Sequence, residues 1–122
     1  MTIGRFSDFQ VERWLGFLAQ EGCYLALHYD NPDVAGAYAS EVFGGTYRRV
    51  LADFSSVDGR TVWNTAPAKW TGLPAVGITH IAGWDAVVNG NLLWYSALPS
   101  IARVQVGQAF TLAGNTIALS VN

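Results

Sequence analysis

A chain of 122 residues has room for one domain and a single core. Charged residues make up only 13% of it, against about 25% in ordinary soluble domains, while hydrophobic residues reach 51%. With a net charge of −2 there is no basic patch to neutralise phosphates, which excludes nucleic acid as a partner. No apolar run reaches the 18 or so residues that a membrane-spanning helix needs, which argues against a membrane partner. Arg5 is not followed by a long apolar stretch, so the N-terminus does not read as a secretory signal. A small domain is mostly surface, and so few charges on that surface imply cover by neighbouring subunits. The alternative is a monomer with a Ser/Thr/Asn/Gly-rich exterior.

The first predicted element is a helix over about residues 7–21. Ser7 and Gln10 have capping-box spacing, Phe6 and Val11 occupy the positions of a hydrophobic staple, and Gly22 suits the end. Val11, Trp14, Leu15 and Leu18 form the apolar stripe, and Phe9 and Phe17 lie off its centre. One stripe suffices to dock a helix, so Phe9, Trp14 and Phe17 are the expected subunit interface.

Strand alternation follows from Cys23 to Tyr29. The lone Cys23 allows no intrachain disulfide and reads as a small buried hydrophobe. A turn at Asp30-Asn31-Pro32-Asp33 opens a polar loop, which Glu41 and Gly44-Gly45 bring back to a strand over residues 47–54. Glu41 and Arg48 are expected to pair and fix that return, a guanidinium gripping a carboxylate through two parallel hydrogen bonds; the alternative is two solvated charges.

Asp58-Gly59 has turn chemistry, and short strands are expected over residues 61–65, 69–71 and 76–84, kept short by Pro67 and Pro74. Asn89-Gly90 is the strongest hairpin signal, joining residues 84–88 to 92–98, and the last strands are expected over 101–106, 109–113 and 116–121. Many short strands with closely spaced turns predict an antiparallel β-sandwich, jelly-roll or Ig-like, with one N-terminal helix over an edge or end; residues 1–122 form one domain.

Catalytic patterns are missing. His28 and His80 lack further ligands at zinc spacing, and Asp30, Asp33 and Asp53 do not make a calcium loop. There is no Gly-x-Ser-x-Gly elbow, and Gly44-Gly45-Thr46 lacks the lysine of a phosphate loop. Glu41 and Asp85 could in principle form a glycosidase carboxylate pair, but nothing in the sequence brings them together. No enzyme activity, cofactor or metal is expected. Among five tryptophans, Trp63 and Trp70 flank a Pro-containing loop and are the candidates for an exposed face that stacks on sugars or a partner.

Several of these features recur in order: the helix, the strand ending in Leu27-His28 before a Pro turn, Glu41-Val42, a Gly, and Tyr47-Arg48. Ile78-Thr79-His80, the Asn89-Gly90 hairpin into Leu92-Leu93, and a late segment with Gly107-Gln108 and Phe110 complete the series. In this the chain resembles the small "phage tail fibre" proteins encoded among the structural genes of tailed phages, many infecting actinobacteria. The resemblance spans about Ser7 to Val121, with Gly107-Gln108 where the family often has Gly-Asp and a short loop from Asp53 to Gly59. It implies a non-enzymatic virion structural protein, tail-fibre-like or a capsid-decoration subunit, assembled in the host cytoplasm. Expected partners are other virion proteins of capsid or tail and further copies of the chain. The alternative function is a carbohydrate-binding module that attaches the virion to a host-surface glycan.

Overall fold

Ser7 stands in extended conformation before helix α1 (Asp8–Glu21), and its hydroxyl accepts the Gln10 N–H at 3.3 Å. Such a cap contributes about 1 kcal/mol. Gly22 closes the other end, its N–H donating to the Leu18 carbonyl. Val11, Leu15 and Leu18 of the expected stripe turn inward, while Trp14, its fourth member, stays 41% exposed. The computed structural model describes residues 2, 4–57 and 59–120. The expected Asp58-Gly59 turn, through Asp58, and the end of the last expected strand at Val121 lie outside the described residues.

The strands are β1 (Cys23–His28), β2 (Val50–Ala52), β3 (Thr61–Trp63), β4 (Ala68–Trp70), β5 (Val76–Trp84), β6 (Leu92–Val104), β7 (Phe110–Leu112) and β8 (Ala118–Ser120). A short helix α2 (Pro32–Ala35) occupies the segment read as a turn, capped by the Asn31 side chain. All strand pairings among the described residues are antiparallel. One sheet has the order β2-β1-β5-β6, and two ribbons pair β3 with β8 and β4 with β7. The chain is therefore mainly β with one long N-terminal helix, a sandwich whose second layer is two ribbons. Pro67 and Pro74 bracket β4 and keep it short.

Both faces of the central strand β1 are buried, which explains why its burial does not alternate. Cys23, Leu25 and Leu27 join Ile78 and Ile81 of β5, the α1 stripe, Val62 and Trp70 in the main core. Ala26 faces the other way, into a small cluster with Ala82 and Trp84 that Tyr24, Ala37 and Leu92 complete. The loop after β1 thus folds over the outer face of the sheet.

Strand β6 runs for 13 residues along the edge of the sheet, where two strands over residues 92–98 and 101–106 were expected. The break survives as an irregularity. Ile78 pairs with Ala102 and His80 with Ala97, so Leu98, Pro99, Ser100 and Ile101 together stand opposite Thr79. Near the turn end of the ladder Gly83 pairs with Trp94. A Cβ on Gly83 would lie 2.2 Å from Trp94 Nε1, so the indole fills the space that a side chain at 83 would need. Strand β2 is shorter than the expected 47–54; residues 47–49 lie outside the ladder, where the Tyr47 and Arg49 side chains reach Glu41.

Candidate functional site

The polar loop from Asp30 to Arg49 is anchored by one arginine, and that arginine is Arg49. Arg49 Nε donates to Glu41 Oε2 at 2.9 Å and Nη2 to Glu41 Oε1 at 2.8 Å, the two-pronged grip expected of Arg48. Arg48 is exposed. The expected Glu41–Arg48 pair is thus corrected by one position. Residues 46–49 are not in a regular strand, so alternation does not fix which arginine turns inward. The bridge between His28 and Glu41 sets Glu41 beside β1, and Arg49 is the residue that reaches it.

Arg49 does more than close the loop. Its Nη1 donates to the carbonyls of Ala86, at 2.8 Å, and Asn89, at 2.6 Å, tying in the β5–β6 turn. Its guanidinium carbon lies 4.0 Å from the centroid of a Trp84 ring, a cation–π contact. Tyr47 donates to Glu41 Oε2 at 2.6 Å and accepts the Leu27 N–H at 3.1 Å. Burial, and then the hydrogen bond to Glu41, push the Tyr47 hydroxyl above its ordinary pKa. The side chains of Arg49 and Glu41 are 4% and 14% exposed, so the pair is desolvated and each partner depends on the other.

A second buried chain of contacts continues from Trp84. The indole N–H donates to His28 Nε2 at 3.4 Å, and the rings stack with centroids 6.2 Å apart. An indole N–H can only donate, so Nε2 is unprotonated; Nδ1 carries the hydrogen and donates to Ser40 Oγ at 2.9 Å. Burial lowers the His28 pKa to about 4, against opposition from Glu41 and with help from Arg49. His28 is therefore a satisfied structural histidine. His80, its cross-strand partner, bonds Thr79 Oγ1 at 2.8 Å. Asp85 binds the backbone and side chain of Asn91 across the turn, which holds its pKa below the usual carboxylate range. Glu41 and Asp85 are thus separately engaged. Among the described residues no three His, Cys, Asp or Glu side chains cluster closely enough to hold a metal.

The expected interface residues are on the opposite side of the β-sheet story, on α1. Phe9 is 69% exposed, Trp14 41% and Phe17 39%. Trp14 and Phe17 line a groove of about 470 Å³ with Leu93, Trp94 and Tyr95 of β6 and with β8. Phe6 meets Trp14 edge-on at 4.5 Å. Phe9 does not line the groove; Arg13 lies over its ring at 5.8 Å. Cys23 lies buried beneath, and burial raises its thiol to about 11, which leaves it unreactive.

Trp63 and Trp70 part company. Trp63 is 41% exposed, whereas Trp70 is 2% exposed and packs against Phe110. The expected pair of exposed tryptophans is corrected to Trp63 alone. In β4 Lys69 points outward and its neighbours Ala68 and Trp70 inward. Lys69 was the signal in the sequence: a charge in a short strand sends the residues on either side to the core.

A search of curated proteins finds no match to this chain. Residues 14–120 match the family described as podophage GP4 fiber I protein gp80, a span from α1 through β8. The match covers most of the molecule just described, and the chain belongs to this family of phage fibre proteins.

Proposed function

We propose that the protein is a non-enzymatic structural subunit of a tailed phage virion, on a tail fibre or as a decoration of the capsid. In this reading it assembles with further copies and with other virion proteins through the α1 side of the fold. The observation that carries the reading is the run of exposed aromatics on and beside α1: Phe9, Trp14 and Phe17, with Leu93 and Tyr95 across the groove. Large apolar side chains contribute roughly 25 cal/mol per Å² when a partner covers them, and contiguous exposed apolar patches mark contact surfaces. The family of fibre proteins supports a virion setting, and the resemblance noted above points to phages of actinobacteria.

The test is the mass of the purified protein by sedimentation, together with its retention on virions. A defined oligomer that co-purifies with particles is the expected outcome. A protein that stays monomeric at high concentration and is absent from particles overturns the proposal. Attachment to glycans through a flat Trp63–Trp70 platform loses its basis, because Trp70 belongs to the core.

A further inference from the structure

The chain has seven cationic side chains, and two of them are engaged in ion pairs: Arg49 with Glu41 and Arg60 with Asp8. Arg48 and Lys69 are different. Both are exposed, and neither has a hydrogen-bond or ion-pair partner among the described residues. They line the same cleft, of about 370 Å³, with Thr46, Thr71, Leu51 and Val87. No carboxylate lines it, although the chain as a whole is acidic. The buried Arg49, which also borders the cleft, already carries Glu41 as its counter-charge.

The cleft is held by a fixed frame. Thr46 N–H donates to the Gly72 carbonyl at 3.0 Å, and Thr46 Oγ1 donates to the Thr71 carbonyl at 2.9 Å. The two chain segments approach so closely that a Cβ on Gly45 would lie 2.1 Å from the Gly72 carbonyl oxygen. Gly45 and Gly72 both have positive φ, so the approach is available to glycine and strained for other residues. Lys69 comes from β4 and Arg48 from the segment leading into β2, so the two charges are presented from separate elements across this seam.

We propose that this cleft binds an anionic saccharide, a sugar bearing a carboxylate or a phosphate. Arg48 offers a planar fork to the oxyanion and Lys69 a mobile point charge. The Thr71 hydroxyl, free of other bonds, and Thr46 Oγ1 as an acceptor can meet sugar hydroxyls. Leu51 and Val87, both about half exposed, supply apolar strips for the C–H faces of a ring. Those strips are what a bare inorganic anion would not need. The volume lies at the lower end of small-molecule sites, about 300–1,000 Å³, which suits one or two sugar units. Two cations are too few to track a nucleic-acid backbone. The proposal rests on the reading of the chain as a virion subunit. It does not depend on which face assembles.

The full-length protein is titrated by calorimetry with oligogalacturonate, with a glycerol-phosphate-substituted oligosaccharide, with a neutral oligosaccharide of the same length, and with inorganic phosphate. Expected is binding of one or both charged saccharides that weakens with salt and falls about tenfold or more in Arg48→Gln and in Lys69→Gln, as loss of a charge-assisted bond implies. The preferred acidic arm identifies carboxylate or phosphate as the source. Both variants change exposed residues, and unchanged unfolding curves establish that the fold is intact. Equal binding of the neutral oligosaccharide, equal binding of inorganic phosphate, or no binding in any arm overturns the proposal. So does saccharide binding that both substitutions leave unchanged. Because the measurement reads ligand and not mass, its failure is distinct from failure of the assembly reading.

Discussion

The Arg49 node and the α1 groove are built from similar residue types and put them to opposite uses. Around Arg49 a tryptophan, a tyrosine, a histidine and an ion pair are all turned inward, and the bonds described above satisfy one another. Along α1 a tryptophan and two phenylalanines are turned outward, although the stripe of Val11, Leu15 and Leu18 already seats the helix. The contrast teaches where a low-charge chain places its few ions. Glu41 and Arg49 hold a long loop against the sheet, and the groove is left nearly free of charge.

Replacing Arg49 should produce the largest effect. Arg49→Gln leaves Glu41 largely buried without its cation and removes the ties to Ala86 and Asn89, and the expected loss is about 3–5 kcal/mol in chemical unfolding. Arg48→Gln, one residue away, should cost less than about 0.5 kcal/mol, since its side chain is exposed. Similar losses from both would erase the distinction between node and surface.

Acid probes the same node through His28. Its folded pKa of about 4 lies below the ordinary 6.5, so between these values the unfolded chain takes up a proton that the folded chain refuses. Stability from this group is therefore full above about pH 6.5, falls by about 3 kcal/mol as the pH drops towards 4, and then levels off. His28→Gln should flatten this part of the curve; an unaltered acid slope would mean that His28 is not its source.

Gly83 offers a smaller test, at the point where the outer sheet meets the groove. Gly83→Ala places a methyl group against the Trp94 indole and should cost about 1–3 kcal/mol, with a change in tryptophan emission. On the exposed face of α1 the effect on stability should be least. Phe9→Ser with Phe17→Ser should change unfolding by less than about 1 kcal/mol while weakening assembly or particle binding. If unfolding collapses and the remaining folded protein assembles normally, the two phenylalanines support the fold and the comparison fails.

Much of this was legible beforehand for reasons that can be named. The cap, stripe and terminal glycine of α1 are local signals, and the helix forms where they place it. Strand β5 spans the expected residues 76–84, and Asn89 and Gly90 both adopt positive φ in the turn that follows. What the sequence concealed is phase. Alternation tells inside from outside only within a regular strand, and the chain is irregular from Phe43 to Arg49, so Arg48 and Arg49 could not be ranked. That Trp84 meets His28 was not legible, because it depends on which strands become neighbours, and in the chain β1 and β5 are separated by three intervening strands. Residues 92–98 and 101–106 were expected as two strands and form the single strand Leu92–Val104, in which Pro99 interrupts the ladder without ending the strand.

That interruption bears on how a crowd of these molecules behaves during virion assembly. Strand β6 is hydrogen-bonded on one side only, and 13 residues with Arg103 as their one charge would otherwise offer a long template for a neighbour's strand. Pro99 has no N–H to lend such a neighbour, and the four residues gathered opposite Thr79 break the straight run into two short pieces. Sheet-to-sheet polymerisation, the failure that threatens a sparsely charged β protein with an open edge, is thereby checked along this border.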